Sequence, residues 1–493
     1  MNEKNRSILS LTLPSLDITQ SMEVTQSANR TLSMADLVAH PQESFVAAEE
    51  KDIVRAEDLH RLFLEIYREY ANYTSLCPEI EKYAEGARES GMMLKELGRQ
   101  LDVAGRDTKE IKVLANDIIN EASTWQLLRG IIRNKDSDVL LPDNADGAMY
   151  SEMLASEAVH SQNSELRHLR AVLDWLEFEA LQKCDKNHYA DLIVPENTFH
   201  QVKLGRASTD LNPDVATKQL HVLDQQALAK FNCEVYKLIR AGQTEQATER
   251  CLQSGQSWKA AMMEGANLYH YPAILDLDGD IDGTEARDIW KLAAFSFSSS
   301  PSLSLHDRGI IGAVCGNSEP LLQLAKSWDD RIWAFLKSSV DVTVEEAIRA
   351  NVLGNSDDLP LSYWKQKQPV EVLLQRASAT MNSTQNNTIY RRVQELLILD
   401  DFEELGRAMD TMVATSKHQA RFLAHLAIVL QHYGTGNISF ECVKYVSISI
   451  LRHLLMFIVI GAMPTSLQRM LVQTKIHEKM PHWLQLIVIC SKR

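Results

Sequence analysis

The residues that come closest to a chemical motif form an acidic loop, DLDGDIDGTEARDI, at residues 276–289. Counted from Asp278, the pattern D-x-D-x-D-G matches the start of an EF-hand calcium loop, with Gly283 at the turn. The last position of that loop is a glutamate that supplies two oxygens, and here it is Ile289. Because calcium takes about six to eight oxygen ligands, this loop cannot close a coordination shell. The sequence therefore predicts an acidic turn without a metal ion.

Other residues with chemical potential are dispersed along the chain. His425 lies within an apolar helix, which favours a hydrogen-bonded core or interface residue over a ligand. The cysteines never form a C-x-x-C pair and several lie on apolar helical faces, which predicts reduced, buried thiols. They are Cys77, Cys184, Cys233, Cys251, Cys315, Cys442 and Cys490. With no P-loop, G-x-S-x-G or G-x-G-x-x-G motif present, we expect no catalytic, cofactor-binding or metal-binding residue, no cofactor and no enzyme.

Charge and hydropathy narrow the range of ligands. The 51 basic and 66 acidic residues give a formal net charge of −15, which argues against nucleic acid or an anionic membrane as the main ligand. The most apolar stretch, residues 446–463, is interrupted by Arg452 and His453. Its unbroken part is short enough for a buried helix, so we expect no transmembrane segment.

Short amphipathic helices are the elements that position these residues, and residues 231–268 show them most clearly. Four apolar residues recur at i, i+4, i+7 and i+8 on the first helix: Phe231, Val235, Leu238 and Ile239. Asp224 offers an N-cap for this helix, and Gly242 and Gly255 stand where left-handed C-terminal caps are expected. Five residues of the next two helices are predicted to face inward: Ala247, Cys251, Trp258, Ala261 and Met262. Short helices joined by short turns stack antiparallel, as in an α-solenoid.

Three regions follow from this pattern. Residues 1–50 are polar and predict a disordered tail, and residues 51–435 predict a helical solenoid domain that docks partners. Residues 436–493 form a divergent or truncated C-terminal segment. No segment alternates apolar and polar residues long enough for a strand, and no tetratricopeptide, ankyrin or armadillo consensus occurs. The prediction is an all-α, irregular helical stack.

Segments between residues 171 and 430 carry a family resemblance. They are AVLDWLE (171–177), LNPDVATKQLHVLDQQ (211–226), YKLIRAGQTEQATERCLQSGQSWKAAMMEGANLYH (236–270), GTEARDIWKL (283–292), AVCGNSEPLLQLAKSWDDRIWAF (313–335) and RFLAHLAIVL (421–430). In this order they resemble the Y-complex scaffold nucleoporins of the hundred-and-seven-kilodalton class, called the eighty-four-kilodalton class in yeast. Thr284 and Glu285 depart from the family pattern. The likeness extends over residues 160–435 and is fainter on either side.

The resemblance implies a fold, a role and partners. The fold would be a folded-back α-solenoid like the ancestral coatomer element. The role would be a structural scaffold in the outer ring of the nuclear pore complex, at the nuclear envelope, required for pore assembly and thereby for mRNA export and protein import and export. The N-terminal helical module would dock onto the ninety-six-kilodalton nucleoporin. Binding to the hundred-and-thirty-three-kilodalton nucleoporin would be lost with the C-terminal domain.

Two other functions would use helical architecture. A solenoid adaptor or coat-type scaffold subunit outside the pore would recognise peptides along a groove lined by a ladder of Asn, Arg or Lys, and no such ladder stands out. A di-iron helical enzyme would carry paired Glu-x-x-His motifs, and none is present. For the scaffold, part of the apolar surface at residues 160–300 is expected to be partner interface.

Overall fold

The chain folds as a stack of α-helices. The computed structural model describes residues 59–70, 75–136, 150–184, 200, 204, 221–272, 279–352, 358–379, 388–412 and 416–433. A first helical segment, the 59–70 helix, precedes the numbered helices. These are α1 (Cys77–Val103), α2 (Lys109–Asp136), α3 (Glu152–Gln162), α4 (Ser164–Lys183), α5 (Val222–Arg240), α6 (Thr244–Gln253), α7 (Ser257–Glu264), α8 (Arg287–Phe297), α9 (Leu305–Cys315), α10 (Ser318–Leu324), α11 (Trp328–Asn351), α12 (Leu361–Trp364), α13 (Val370–Ala379), α14 (Ile389–Ile398), α15 (Phe402–Thr411) and α16 (Lys417–Tyr433). Among the described residues the β-type pairing is an isolated bridge between His270 and Asp282, so the all-α prediction is confirmed.

The longest helices, α1 and α2, form an antiparallel hairpin. Their close approach depends on Gly91, where an added Cβ would lie 2.7 Å from Cγ1 of Ile119 and 3.2 Å from its backbone nitrogen. The turn between them places Gly105 at φ +73°, a conformation that favours glycine. The buried face of α1 repeats at helical spacing through Ile80, Ala87 and Leu94.

The chain then doubles back on itself. Helix α2 packs on α4, which follows α3 in the chain. It also packs on α14 and α16, which lie near the C-terminal end of the described residues. Helix α4 contacts both α5 and α11, and α11 contacts α3, α10 and α13. Residues from 59 to 430 therefore share one large apolar core. This return of the chain confirms the folded-back solenoid.

The central helices form the other end of the stack. Successive helices α5–α6, α6–α7, α8–α9 and α9–α10 pack in pairs, and α5 also packs on α9. A second, smaller core lies where α8, α9, α11 and α12 meet, with Tyr363 and Phe295 in edge contact at 5.6 Å. This arrangement is the irregular stack that the sequence predicts.

The first two helices of the 231–268 segment match their sequence patterns. The four residues of the first stripe are 1–8% exposed, and Ala247 and Cys251 are fully buried. Gly242 and Gly255 adopt φ of +72° and +70°, as predicted for left-handed caps. The N-cap prediction is wrong: the imidazole of His221 accepts from the Leu223 amide at 3.3 Å, and Asp224 lies in the first turn.

The third helix of that segment, α7, matches its prediction in part, because Trp258 and Met262 are half-buried and pack against the second core. Its buried residues are Lys259, Ala260 and Met263, whereas Ala261 is exposed. The reason is the ion pair between Lys259 Nζ and Asp307 Oδ1 at 2.9 Å, which draws a cation onto the inner face. Apolar periodicity cannot predict a face that is organised around a buried charge.

The predicted tail at 1–50 and the C-terminal segment at 436–493 lie outside the described residues. The proposed division into three regions therefore stays a prediction. Within the part of the chain that the structure describes, every helix is too short or too polar to cross a bilayer. The apolar stretch at 446–463 is not among those residues.

Candidate functional site

The arrangement closest to a catalytic pair joins Ser151 and His270. The hydroxyl of Ser151 lies 2.8 Å from Nδ1 of His270. The same oxygen accepts a hydrogen bond from the Leu154 amide at 3.2 Å and so caps α3. Because Ser151 is only 1% exposed, a substrate carbonyl cannot reach its oxygen. We assign this pair to the capping of α3, a contact that the sequence analysis did not find because 119 residues separate the two positions.

The acidic loop is an exposed turn over residues 279–286, and α8 begins at Arg287. Asp280 and Asp282 are exposed, and the carboxylate of Asp282 accepts the Gly283 amide at 2.8 Å. Gly283 has φ +68°, as expected at the turn, and Ile289 is 57% exposed. Asp278 lies outside the described residues. Within those residues no group of three or more histidine, cysteine or acidic side chains is placed to hold a metal ion.

His425 is a core residue, as predicted. It is 3% exposed, and its Nδ1–H donates to the Arg421 carbonyl at 2.9 Å. Its ring makes edge contacts with Phe63 and Tyr83 at centroid distances of 5.2 and 5.4 Å. Burial lowers the pKa of His425 to about 4, and the nearby charge of Arg421 acts in the same direction. The imidazole is therefore neutral at pH 7.

The described cysteines are reduced thiols outside disulfide bonds, as predicted. Cys251 and Cys315 are buried, and Cys77, Cys184 and Cys233 are half-buried. Burial raises the pKa of Cys251 to about 11 and that of Cys315 to about 12, so both stay protonated and unreactive. Cys442 and Cys490 lie outside the described residues.

Buried polar contacts join α2 and α4 to α14 and α16, the helices that pack on them where the chain folds back. We call this set of contacts the seam. Arg421 of α16 pairs with Glu121 of α2, and their side chains are 1% and 0% exposed. Burial raises the pKa of Glu121, although the charge of Arg421 opposes the shift. Gln394 donates to the Thr124 hydroxyl at 3.0 Å, which joins α14 to α2. These contacts bridge roughly 270 to 300 residues of sequence and fix which helices pair.

His168 of α4 completes the seam. Its Nε2–H donates to the Ile398 carbonyl at 3.0 Å, and burial lowers its pKa. A polar cavity of about 490 Å³ opens beside it at the ends of α2, α4, α13 and α14. Both Nδ1 of His168 and Nε of Arg167 lack partners but are sealed from solvent. The cavity therefore presents neither nitrogen to a ligand.

A second buried network ties α3, α8 and α11 together. Arg287 contacts Glu152 at 2.5 Å and Glu345 at 2.7 Å, and Lys291 contacts Glu345 at 3.0 Å. Burial alone would raise the pKa of Glu345, but the charges of Lys291 and Arg287 outweigh it and lower that pKa to about 2. The carboxylate is thus ionised throughout the neutral range and holds both cations in place.

Arg240 joins the central helices to the fold-back. At the end of α5, its guanidinium donates to the Leu176 carbonyl of α4 at 2.9 Å and to Asp330 of α11 at 3.1 Å. It also lies 4.8 Å from the ring centroid of Trp333. Trp333 is fully buried, as is Trp125, so both rings pack inside the core.

The surface of the central region carries exposed apolar side chains. Within residues 160–300 the large ones, 52–63% exposed, are Leu204, Val222, Leu223, Leu252, Ile281 and Ile289. These exposed apolar side chains, rather than a catalytic or metal-binding centre, are the part of the described surface suited to binding another molecule.

Comparison with known proteins gives a consistent match. The family model described as Nuclear pore protein 84 / 107 matches residues 115–450. The matched region includes most of α2 and every later helix through α16.

Curated relatives carry the same assignment. Nuclear pore complex protein Nup107 of Mus musculus is 30% identical over 348 residues, covering 64% of this chain and 38% of the relative. The Drosophila melanogaster protein of that name is 29% identical over 353 residues, or 64% of this chain and 41% of its own length. Nucleoporin nup107 of Schizosaccharomyces pombe is 20% identical over 363 residues, or 70% of this chain and 42% of its own. The chain thus spans about two fifths of the length of these relatives.

The family resemblance carried by the six sequence segments is confirmed by these matches. So are the expectations of a nuclear pore protein, of a location at the nuclear pore in the nuclear envelope, and of a structural protein rather than an enzyme. The match extends over more than half of the sequence and falls on the helices that build the fold-back. The chain belongs to the nuclear pore protein 84 / 107 family.

Proposed function

We propose that this chain is a structural scaffold of the outer ring, or Y-complex, of the nuclear pore, and that it docks onto the ninety-six-kilodalton nucleoporin. Through that role it would support pore assembly and thereby mRNA export and protein import and export. The observation that carries the proposal is that the family match at 115–450 coincides with a helical body fastened by buried charges. A fixed body suits a part whose task is to hold other proteins at set positions.

The partner would cover part of the central surface. The exposed apolar residues of α5, α6 and α8 include Leu223, Leu252 and Ile289. A stable interface buries about 800 Å² per partner around an apolar core, which these side chains would supply. The surrounding acidic residues, such as Glu249 and Glu285, would form its polar rim.

Co-purification of the full chain with the ninety-six-kilodalton nucleoporin, followed by size-exclusion chromatography with light scattering, tests the partner. A one-to-one complex is expected. If both proteins are folded and no complex forms, the partner assignment is wrong, and the solenoid adaptor or coat-type subunit outside the pore becomes the better hypothesis.

Matched surface variants test the docking face. Ile289→Glu places a charge in the proposed interface and should weaken the complex at least about tenfold. Val113→Glu is the control, because Val113 is 63% exposed and lies on the α1–α2 hairpin. If both variants bind the partner with equal affinity, the interface lies elsewhere on the chain, and the partner assignment still stands.

The hundred-and-thirty-three-kilodalton nucleoporin needs a separate test. The family resemblance leads us to expect little binding to it, and this stays a prediction. A pull-down with the full chain should recover little of it, and strong recovery would contradict the expectation.

A further inference from the structure

The 59–70 helix lies across a groove whose walls are α1, α2 and α16. Its Phe63 is fully buried and stacks on Tyr83 of α1, with ring centroids 4.5 Å apart. The same ring lies 6.4 Å from Trp125 of α2 and 5.2 Å from His425 of α16. One side chain therefore joins the start of the described chain to its last described helix.

Beneath Phe63 the floor of the groove carries a charge. The guanidinium of Arg421 lies 4.6 Å from the Phe63 ring centroid and pairs with Glu121. Without the 59–70 helix, this ion pair would lose the side chain that shields it from solvent. Water would then reach Arg421 and weaken its attraction to Glu121, the contact that holds α16 on α2.

The helix is attached mainly through one apolar stripe. Leu59, Phe63 and Ile66 follow the i, i+4, i+7 pattern and are 0–6% exposed. At the edges of this stripe Leu62 packs on Gly86 of α1, and Tyr70 is partly buried against the core. The opposite face is open, with the side chains of Arg61 and Glu65 76% and 58% exposed. A helix of this length is marginal on its own in water, so it stays helical because the groove binds it.

The family match includes part of the groove but not the 59–70 helix. Residues 115–450 include α16 and the part of α2 that carries Trp125 and Glu121, whereas the 59–70 helix lies before the matched region. Two of the three walls, α2 and α16, thus fall in the matched region, whereas α1 and the 59–70 helix precede it.

We propose that the 59–70 helix is a displaceable clasp, an amphipathic helix bound in cis that closes this groove and holds α16 against α2. Its release exposes the groove and weakens the packing on α2 of α16, the helix that ends at Tyr433. The groove is then a helix-docking site, with the chain's own residues 59–70 as occupant. The proposal does not depend on the identity of the pore partner.

Hydrogen exchange on the full chain tests whether the clasp opens by itself. Amides of residues 59–70 should exchange at least about 100-fold faster than those of α2 around Trp125. In Phe63→Ala the amides of α16 should exchange about tenfold faster or more, while α5 to α10 stay unchanged. Glu65→Ala, on the open face, is the control and should match the wild type. Protection of 59–70 equal to that of α2, or faster exchange throughout Phe63→Ala, would show an integral helix and overturn the proposal.

Competition in trans tests the docking site. A fluorescent peptide of residues 55–72 is titrated against the full wild-type chain, Phe63→Ala and Glu65→Ala, and its anisotropy is followed. Because the native clasp occupies the groove, the peptide should bind Phe63→Ala at least about tenfold more tightly than the other two proteins. A peptide carrying the same alanine should not bind. Equal binding to all three proteins, or none to a Phe63→Ala protein with normal α5–α10 protection, would refute the docking site.

Discussion

The buried histidine of α16 makes stability depend on pH in a way that one substitution can isolate. Burial lowers the pKa of His425 to about 4, against 6.5 for a solvated histidine. Between these values the unfolded chain binds a proton that the folded chain does not. Stability is therefore complete above pH 6.5 and falls as the pH drops toward 4.

The size of the effect follows from the two pKa values. At pH 5 the imidazole in the unfolded chain is mostly protonated, whereas His425 in the folded chain is mostly neutral. The difference in proton binding lowers the free energy of unfolding at pH 5 by about 2 kcal/mol relative to pH 7.5. His425→Phe removes the titrating group and keeps an aromatic ring against Phe63 and Tyr83.

Urea unfolding followed by tryptophan fluorescence, at pH 7.5 and pH 5.0, measures the effect. Trp125 reports on this region, since its ring lies 5.2 Å from that of Tyr83. The wild type should lose about 2 kcal/mol more than His425→Phe between the two pH values. Other histidines and the carboxylates contribute to both proteins and cancel in this comparison. The same pH dependence in both proteins, with normal circular dichroism for the variant, would show that His425 protonates freely in the folded state and would refute the reasoning.

Three further outcomes are expected from urea unfolding. Glu121→Leu should cost about 3–5 kcal/mol because it leaves Arg421 buried without its counter-charge, and adding Arg421→Leu should recover most of that loss; additive costs would contradict a coupled pair. Glu345→Gln should cost about 3 kcal/mol at pH 7, since the native pKa of Glu345 is about 2 instead of 4.5. The lowered native pKa means that this stability is present above pH 4.5 and is lost toward pH 2, so a gap between the two proteins that persists at pH 2 would be evidence against the assigned pKa. Gly91→Ala should cost about 1–3 kcal/mol through its clash on α2, whereas Gly406→Ala, with no atom within 4 Å, should be neutral or slightly stabilising; equal effects would contradict the close approach.

Local apolar patterns predicted the fold class and several helix faces. The stripe from Phe231 to Ile239 and the left-handed Gly242 lie as the spacing predicts, because both depend on neighbouring residues alone. The burial of Lys259 in α7 was not predicted, because its partner Asp307 lies 48 positions further along the chain. A lysine is normally assigned to the surface, and only the distant carboxylate reverses that assignment.

The pairing of helices could not be predicted from helix patterns. The stripes of α4, α14 and α16 are alike in composition, and any of them could pack on α2 by apolar burial alone. The return of the chain was expected from the family resemblance, not from residue spacing. The docking residues could not be predicted for a related reason. An apolar helix face has the same residue pattern whether it packs on its own chain or on another.

The buried charges supply the information that the stripes lack. Replacing a buried ion pair by apolar residues often leaves stability unchanged, so these pairs are not explained as sources of stability. A wrong helix pairing would, however, leave Glu121 or Arg421 in the core without its partner, at a cost that apolar faces do not impose. The same holds for Glu345, which pairs with two cations of α8 as well as with Arg349 of its own helix. In a stack of similar helices, a few buried charges can thus select one fold-back among several of comparable apolar burial, and a scaffold depends on that single shape to hold its neighbours in place.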